Sequence, residues 1–551
     1  MDSDIDNLMG HIGEFGKYQM RQFLLHILAG GTAGVHMLSL VTVAATPDHR
    51  CLVDGVESAF NATYNDPDMR QYIPVVDGEF DSCHLYDSNN DTITCNQWVY
   101  DNQYYRSSRV IDWNMICDHR WMAAVSQSVF MFGVFTGAVV LGSLADRFGR
   151  KTIFCLSGLL QLILGVSVAF FSEYYSFLFM RYLLGIFGSA GAYITGFVLT
   201  MELVGPSKRT ICGISFQASF ALGVMLVALW GALIGDRVML QVVYGLHSLL
   251  IIPHYWIMDE SPRWLWSQGR IHEAVSIVEK AAKMNGQDAP DRAFYVSRGM
   301  SGMRTKEEME LNAPKAGIID LVRTPNLRAK TLNCALNWFA NSIVYYGLSL
   351  NTGKLLGNPY LMLFIVGLVE WPSYIATVLL MDRTGRRSLI SSTMLLGGFA
   401  CLLAVFIPNG TVVTVIVMVG KFFIAASFAI IYNYTAEMFP TVVRNTALGV
   451  GSMCARLSGA LTPMIGLLDS LDKTLPTVIF ASLALLAGAL ALFLPETAGK
   501  PMPQTLEEGE EFGKGDTAFS SCFGGARRRT ASLAVPEQST PRNDIALNIR
   551  D

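Results

Sequence analysis

The sequence predicts an all-α polytopic membrane protein: twelve transmembrane helices in two six-helix halves. Scarce charge, twelve apolar segments and an internal repeat carry that prediction. Of 551 residues, 16% are charged and 51% hydrophobic, and the mean hydropathy is +0.36. Soluble proteins carry roughly 25% charged residues, so this chain lacks the polar surface that a soluble globule of its size needs. The same composition excludes a disordered or collagen-like chain. A net charge of −4 leaves no basic footprint for a nucleic acid.

A spanning helix needs about 20 largely apolar residues. Segment 1 covers 21–46 and follows a polar stretch, unlike a cleavable signal peptide. Polar loop 47–120 separates it from segments 2 to 6, at 121–144, 152–171, 176–200, 211–234 and 238–258. A second polar stretch, 259–330, precedes segments 7 to 12, at 331–350, 360–381, 388–407, 411–434, 445–468 and 475–494. The expected organisation is an N-terminus (1–20), a first half (21–258, including loop 47–120), a central loop (259–330), a second half (331–494) and a tail (495–551).

Basic residues in short loops set orientation. Arg147, Arg150 and Lys151 follow segment 2, Lys208 and Arg209 follow segment 4, Arg383, Arg386 and Arg387 follow segment 8, and Arg444 follows segment 10. Both termini and these loops are therefore expected in the cytoplasm. Loop 47–120, with 5 Lys/Arg against 13 Asp/Glu, is expected outside. That loop holds Cys51, Cys83, Cys95 and Cys117, which predicts two disulfides with three pairings open. The sequons at Asn61 and Asn90 fall in the same loop, and the one at Asn409 in another outside-facing turn, which makes all three glycosylation candidates.

The halves repeat. Asp146-Arg-Phe-Gly-Arg-Lys151 recurs 236 residues later as Asp382-Arg-Thr-Gly-Arg-Arg387. Glu202 and Arg209 are echoed by Glu437 and Arg444, and Glu260 by Glu496. Near-constant spacing over three pairs indicates two halves of the same orientation. So tight a turn needs a glycine, and its cations hold the loop inside and can pair with carboxylates such as Glu202 and Glu437. Pairs that form in one state and break in another act as latches, for which Asp146, Arg147, Arg150, Glu202, Arg209, Asp382, Arg383, Arg386, Glu437 and Arg444 are the candidates. The competing reading is a topology anchor whose surface ion pairs contribute little.

Asp259-Glu-Ser-Pro-Arg-Trp264 and Pro495-Glu-Thr resemble the signatures of sugar porters and organic-ion transporters. Gly13-Glu-Phe-Gly-Lys-Tyr-Gln19, Ala45-Thr-Pro-Asp-His-Arg-Cys51, Trp113-Asn-Met-Ile-Cys117 and Tyr434-Thr-Ala-Glu-Met-Phe-Pro-Thr-Val-Val-Arg-Asn445 narrow the likeness. The chain resembles the organic cation/anion/carnitine transporter family of the major facilitator superfamily, and within it the invertebrate organic cation transporters. That resemblance implies transport of a small organic cation or zwitterion through a mid-membrane pocket by alternating access, at the plasma membrane and without ATP. A coupling ion is a further candidate partner beside the lipid bilayer. An organic anion exchanger of the same family and a non-transporting sensor are the alternatives.

Ionisable residues inside spanning segments mark candidate pathways because burial in lipid is costly. Glu370, in segment 8, resembles the carboxylate of the cation and carnitine branches and suits an ammonium, or else pairs with a neighbouring helix. Arg456, in segment 11, departs from the aspartate of strict cation carriers. It suits a substrate carboxylate or an internal salt bridge with Glu370. Together the two are placed to hold the ends of a carnitine-like zwitterion. Gln217 matches a family contact residue, as do Tyr345 and Tyr346. Tyr193, Phe197 and Thr200 share one helical face, and Tyr432 joins them as an aromatic surface for quaternary ammonium. Each of these also reads as ordinary helix packing. Lys421 and Arg181 are assigned to gating or internal pairing, the Gly185, Gly188 and Gly191 series to close packing, and His26 and His36 to packing. In the tail, Arg527-Arg-Arg-Thr-Ala-Ser532 reads as a kinase site or a basic patch near lipid. No phosphate loop, metal cluster or catalytic triad stands out, so neither cofactor nor enzymatic activity is expected.

Overall fold

The computed structural model describes residues 2–57, 62–76, 79–87, 91–310, 317–351, 357–408 and 410–517. Its long helices are α1 (Lys17–Val43), α2 (Trp121–Phe148), α3 (Arg150–Phe170), α4 (Tyr174–Leu203), α5 (Arg209–Leu233) and α6 (Arg237–Ile257). The second half supplies α7 (Pro325–Leu350), α8 (Pro359–Thr384), α9 (Arg386–Phe406), α10 (Thr411–Met438), α11 (Thr441–Gly466) and α12 (Leu475–Ala491). Among the described residues, nine helices are long and apolar enough to cross a membrane individually. The remaining three, α7, α11 and α12, complete the twelve. α7 buries Asn337, Asn341, Ser342 and Ser349, α11 carries Arg444, Ser452 and Arg456, and α12 has only 17 residues. Polar residues that face protein rather than lipid thus lower the hydropathy of α7 and α11.

The helices overrun the apolar segments because hydrogen bonding continues past the point where charge begins. α2 ends at Gly149 (φ +106°) and α8 at Gly385 (φ +84°), a backbone region that glycine enters without steric penalty. Absence of a side chain at these turns also admits a carboxylate. A Cβ on Gly149 would crowd Glu260, and one on Gly385 would crowd Glu496. Glu260 accepts the Lys151 backbone N–H at 3.1 Å, and Glu496 accepts those of Arg386 at 2.8 Å and Arg387 at 3.2 Å. The repeated glycine and glutamate form one device, an anionic cap on the N-termini of α3 and α9, where the helix dipole favours negative charge.

α2 packs along α11 and α5 along α8, which joins the halves. One buried apolar cluster runs through both, including Phe130, Leu184, Val224, Trp338, Ile343 and Ile430. Leu156, Ile163, Phe179, Leu379 and Phe399 are exposed on the outer faces, as lipid contact requires. α4 is interrupted by a π-helical stretch, Gly185–Ala192, where a Cβ on Gly185 would collide with the Phe130 carbonyl of α2.

Among its described residues, loop 47–120 forms three short antiparallel ladders, including His49–Cys51 against Trp98–Tyr100. Of the three pairings left open, the structure has Cys51–Cys95 and Cys83–Cys117. Arg50 is wholly buried and grips both oxygens of Glu57 at 2.6 and 2.7 Å. At the opposite end of the bundle, the helix Asp2–Gly10 docks on the central loop through Asp4–Arg298 and Asp6–Arg263, both 2.7 Å. The tail carboxylate Glu510 accepts the Asn326 and Leu327 backbone N–H groups at 2.9 Å, capping α7. Asn61, Asn90, Asn409 and the 527–532 motif lie outside the described residues.

Candidate functional site

A cavity opens at mid-bundle between the halves and is lined by residues of both. Six of the eight expected substrate residues line it: Tyr193, Gln217, Tyr345, Tyr346, Tyr432 and Arg456. Helical spacing brings them in. Tyr345 and Tyr346 project from α7, Tyr432 from α10 and Arg456 from α11, while Tyr193 follows the π-helical stretch of α4. The aromatic wall is contiguous. Tyr345 packs edge-on to Tyr346 at 5.3 Å and stacks on Phe428 at 5.6 Å, and Tyr432 lies 4.4 Å from Trp338. The Gln217 side chain makes no hydrogen bond among the described residues, so its amide is available to a guest.

Arg456 is the cation of this cavity. Its Nη1 donates to the Ser452 carbonyl at 3.0 Å and to the Ser452 hydroxyl. Among the described residues no carboxylate pairs with it, and Nε and Nη2 take no protein partner. The expected internal alternative, a salt bridge between Arg456 and Glu370, is therefore not formed.

Glu370 instead belongs to a sealed cluster behind the wall. It is fully buried and pairs with Lys421 of α10 at 2.9 Å. Its Oε2 accepts the hydroxyls of Tyr345 at 2.9 Å and Tyr374 at 2.8 Å. Glu370 does not line the cavity but reaches it only through Tyr345, which corrects the expectation that Glu370 and Arg456 together hold the two ends of one zwitterion. The physical reason is that an ammonium on the adjacent helix satisfies the carboxylate first. Phe197 is likewise set back, with its ring 6.0 Å from that of Tyr432. Thr200, expected on the same face, turns away and meets His26 at 3.0 Å. Arg181 is buried against Phe130, with Ser39 and Gln127 as partners.

The cavity also contains residues that the sequence reading passed over: Ser189, Phe220, Ser342, Phe428 and Ser452, with Met37 and Met131. Four of them were within reach, since Ser189, Ser342, Phe428 and Ser452 each sit four residues before a residue already singled out.

The latch candidates divide. Arg150 pairs with Asp146 at 2.9 Å and Glu202 at 3.1 Å, and Arg386 with Asp382 at 3.0 Å and Glu437 at 3.1 Å. The two clusters repeat one another, and each stays within its own half. Arg209 and Arg444 turn to the carbonyls of Val204 and Phe439, five residues back in each case. Arg147 packs on the Phe148 ring, and neither it nor Arg383 makes an ion pair among the described residues. Bonds that cross between the halves lie at the cavity, where the Tyr346 hydroxyl donates to Met37 Sδ at 3.3 Å, and at the end carrying loop 47–120. There Arg120 meets Asp469 at 2.7 Å, and the Tyr360 hydroxyl donates to the Tyr104 carbonyl at 3.0 Å. These two contacts tie the halves together at that end.

The profile of the sugar (and other) transporter family matches residues 76–508. The organic cation transporter protein of Drosophila melanogaster is 39% identical over 521 residues, covering 92% of this chain and 95% of that protein. The human organic cation/carnitine transporter 2 is 33% identical over 531 residues, covering 92% and 94%. Among solved structures, the proton:xylose symporter XylE bound to 6-bromo-6-deoxy-D-glucose superposes with a TM-score of 0.59 at 18% identity, covering 90% of this chain and 99% of that one. At that identity the likeness bears on the fold alone.

Proposed function

The chain belongs to the sugar (and other) transporter family of the major facilitator superfamily, alongside organic cation and carnitine transporters, and from that premise we propose that it carries small zwitterions of the carnitine type, and organic cations, across the plasma membrane by alternating access. It is a multi-pass transporter and not an enzyme. The reading rests on Arg456. A guanidinium with two nitrogens free of partners among the described residues, in a cavity walled by Tyr193, Tyr345, Tyr346 and Tyr432, suits a carboxylate at one end of a guest. The tyrosine faces suit its quaternary ammonium at the other.

In this reading loop 47–120 faces outward, both termini are cytoplasmic, and the bundle is closed at its outer end. The Arg150 and Arg386 clusters are the elements that rearrange when the opposite end closes, and Asn61, Asn90 and Asn409 are the glycan acceptors. Organic anion exchange is the second reading. It is favoured because Lys421 neutralises Glu370 and leaves the Arg456 charge unbalanced. Reconstitution in proteoliposomes with labelled carnitine, tetraethylammonium and p-aminohippurate, with and without a sodium gradient, tests the proposal. Carnitine is expected to accumulate most and tetraethylammonium measurably. Accumulation of p-aminohippurate alone would establish the anion reading instead, and binding without accumulation a sensor.

A further inference from the structure

The Lys421 side chain ends in a complete binding site for an ammonium ion. Its Nζ lies 2.9 Å from Glu370 Oε1 and donates to the Ser349 hydroxyl at 2.7 Å and the Tyr345 carbonyl at 3.4 Å. It also sits 3.1 Å from the centroid of the Tyr345 ring. A carboxylate, two neutral acceptors and a π face are the groups by which a protein recognises an alkylammonium guest. Both charged side chains are sealed from solvent. Tyr345 is the partition, with its ring on the cavity side and its hydroxyl on Glu370.

We propose that Lys421 is a tethered occupant of this ammonium site and a specificity-determining residue: it withholds Glu370 from organic cations and leaves Arg456 to select guests that carry a carboxylate. The proposal deepens the zwitterion reading and rests on it for the identity of the cargo, but occupancy of the ammonium site is testable without any transport. Burying Glu370 with its cation removed leaves an uncompensated charge, which is strongly unfavourable, so the emptied site must recruit a cation or lose stability. Truncation of Lys421 to alanine deletes the equivalent of n-propylammonium, which sets the probe.

The experiment uses the full chain in detergent and in proteoliposomes, as wild type, Lys421→Ala, Lys421→Met and the double variant Lys421→Ala/Glu370→Gln. n-Propylammonium should raise the melting temperature of Lys421→Ala by several degrees. It should leave wild type unmoved, because the site is filled, and Lys421→Met unmoved, because the space is filled. The double variant should not respond either, because the carboxylate is gone. Lys421→Ala should also take up tetramethylammonium several-fold faster than wild type. Should Lys421→Ala be recovered only when n-propylammonium is present throughout purification, that dependence supports the proposal. Failure to recover it with or without the amine, while the double variant is recovered, overturns it. A folded Lys421→Ala that shows no amine-dependent stabilisation also overturns it, whatever carnitine does. Stabilisation without carnitine transport by wild type leaves the ammonium site standing and removes only the zwitterion reading.

Discussion

Arg456→Gln separates carboxylate recognition from everything else the cavity does. In the structure one arm of the guanidinium is spent on Ser452, through its carbonyl and hydroxyl, which fixes the side chain. The free Nε and Nη2 form the edge that matches a carboxylate in a two-bond arrangement. Hydrogen bonds to charged groups are worth about 1.5–3 kcal/mol net. Glutamine keeps a single neutral donor, so the expected loss is of that order. At about 1.4 kcal/mol per decade, carnitine KM should rise about 10- to 150-fold. Arg456→Lys retains the charge but not the fork and should fall between. Tetraethylammonium has no carboxylate, so its KM should hold or improve as the positive charge is removed. The assay is saturable uptake of both compounds into proteoliposomes, on protein checked by size-exclusion chromatography. A carnitine KM within about twofold of wild type, well under one decade, together with an unchanged tetraethylammonium KM, would refute the assignment of Arg456 to the carboxylate.

Three further outcomes are expected. Asp469→Asn removes the ion pair with Arg120 across the closed end. Arg120 is 42% exposed, so the pair is worth about 0.2–1 kcal/mol, and the bundle should shift roughly 1.4- to 5-fold toward opening at that end. A cysteine introduced at Ser342 should then react faster with an impermeant thiol reagent from the loop side, and an unchanged rate counts against the closure. In loop 47–120, burial pushes the Glu57 carboxyl up, but the Arg50 guanidinium and the Val53 N–H outweigh it and hold the group below its ordinary range. A depressed folded value means that the stabilisation is complete above about pH 4.3 and is lost as pH falls through the folded value. Proteolysis of the loop should accelerate on that acid side in wild type but not in Glu57→Gln, and an identical acid edge in both would dismiss the clasp. Glu510→Ala should uncap α7 at a cost of about 0.5–2 kcal/mol. That is read as faster amide exchange at Asn326 and Leu327, and equal exchange rates would show that the tail contact is idle.

How much of this was legible in the sequence depended on how local the information was. Helix count, the cysteine cluster of loop 47–120 and the repeat are written in short windows, because hydropathy and the Gly149 and Gly385 turns act within a few residues. The aromatic and arginine positions of the cavity were legible because a helix face is periodic, and the serines four residues away, Ser189, Ser342 and Ser452, lay within reach of the same periodicity but were passed over. Thr200 was misplaced because its hydroxyl meets His26 of α1, a partner on another helix that the periodicity of α4 does not reveal. Of the two readings open for Glu370, the structure has the pair with a neighbouring helix, through Lys421. Two cations, Lys421 on α10 and Arg456 on α11, were available to one carboxylate, and sequence has no term for which helix lies nearer. The choice has a functional consequence. Had Arg456 taken Glu370, the cavity would have kept an unpaired Lys421 on a flexible stem. Because Lys421 takes it, the residual charge is held on a rigid, planar fork anchored by Ser452. Partner choice inside the bundle, more than the list of charged residues, therefore decides what kind of guest the cavity selects.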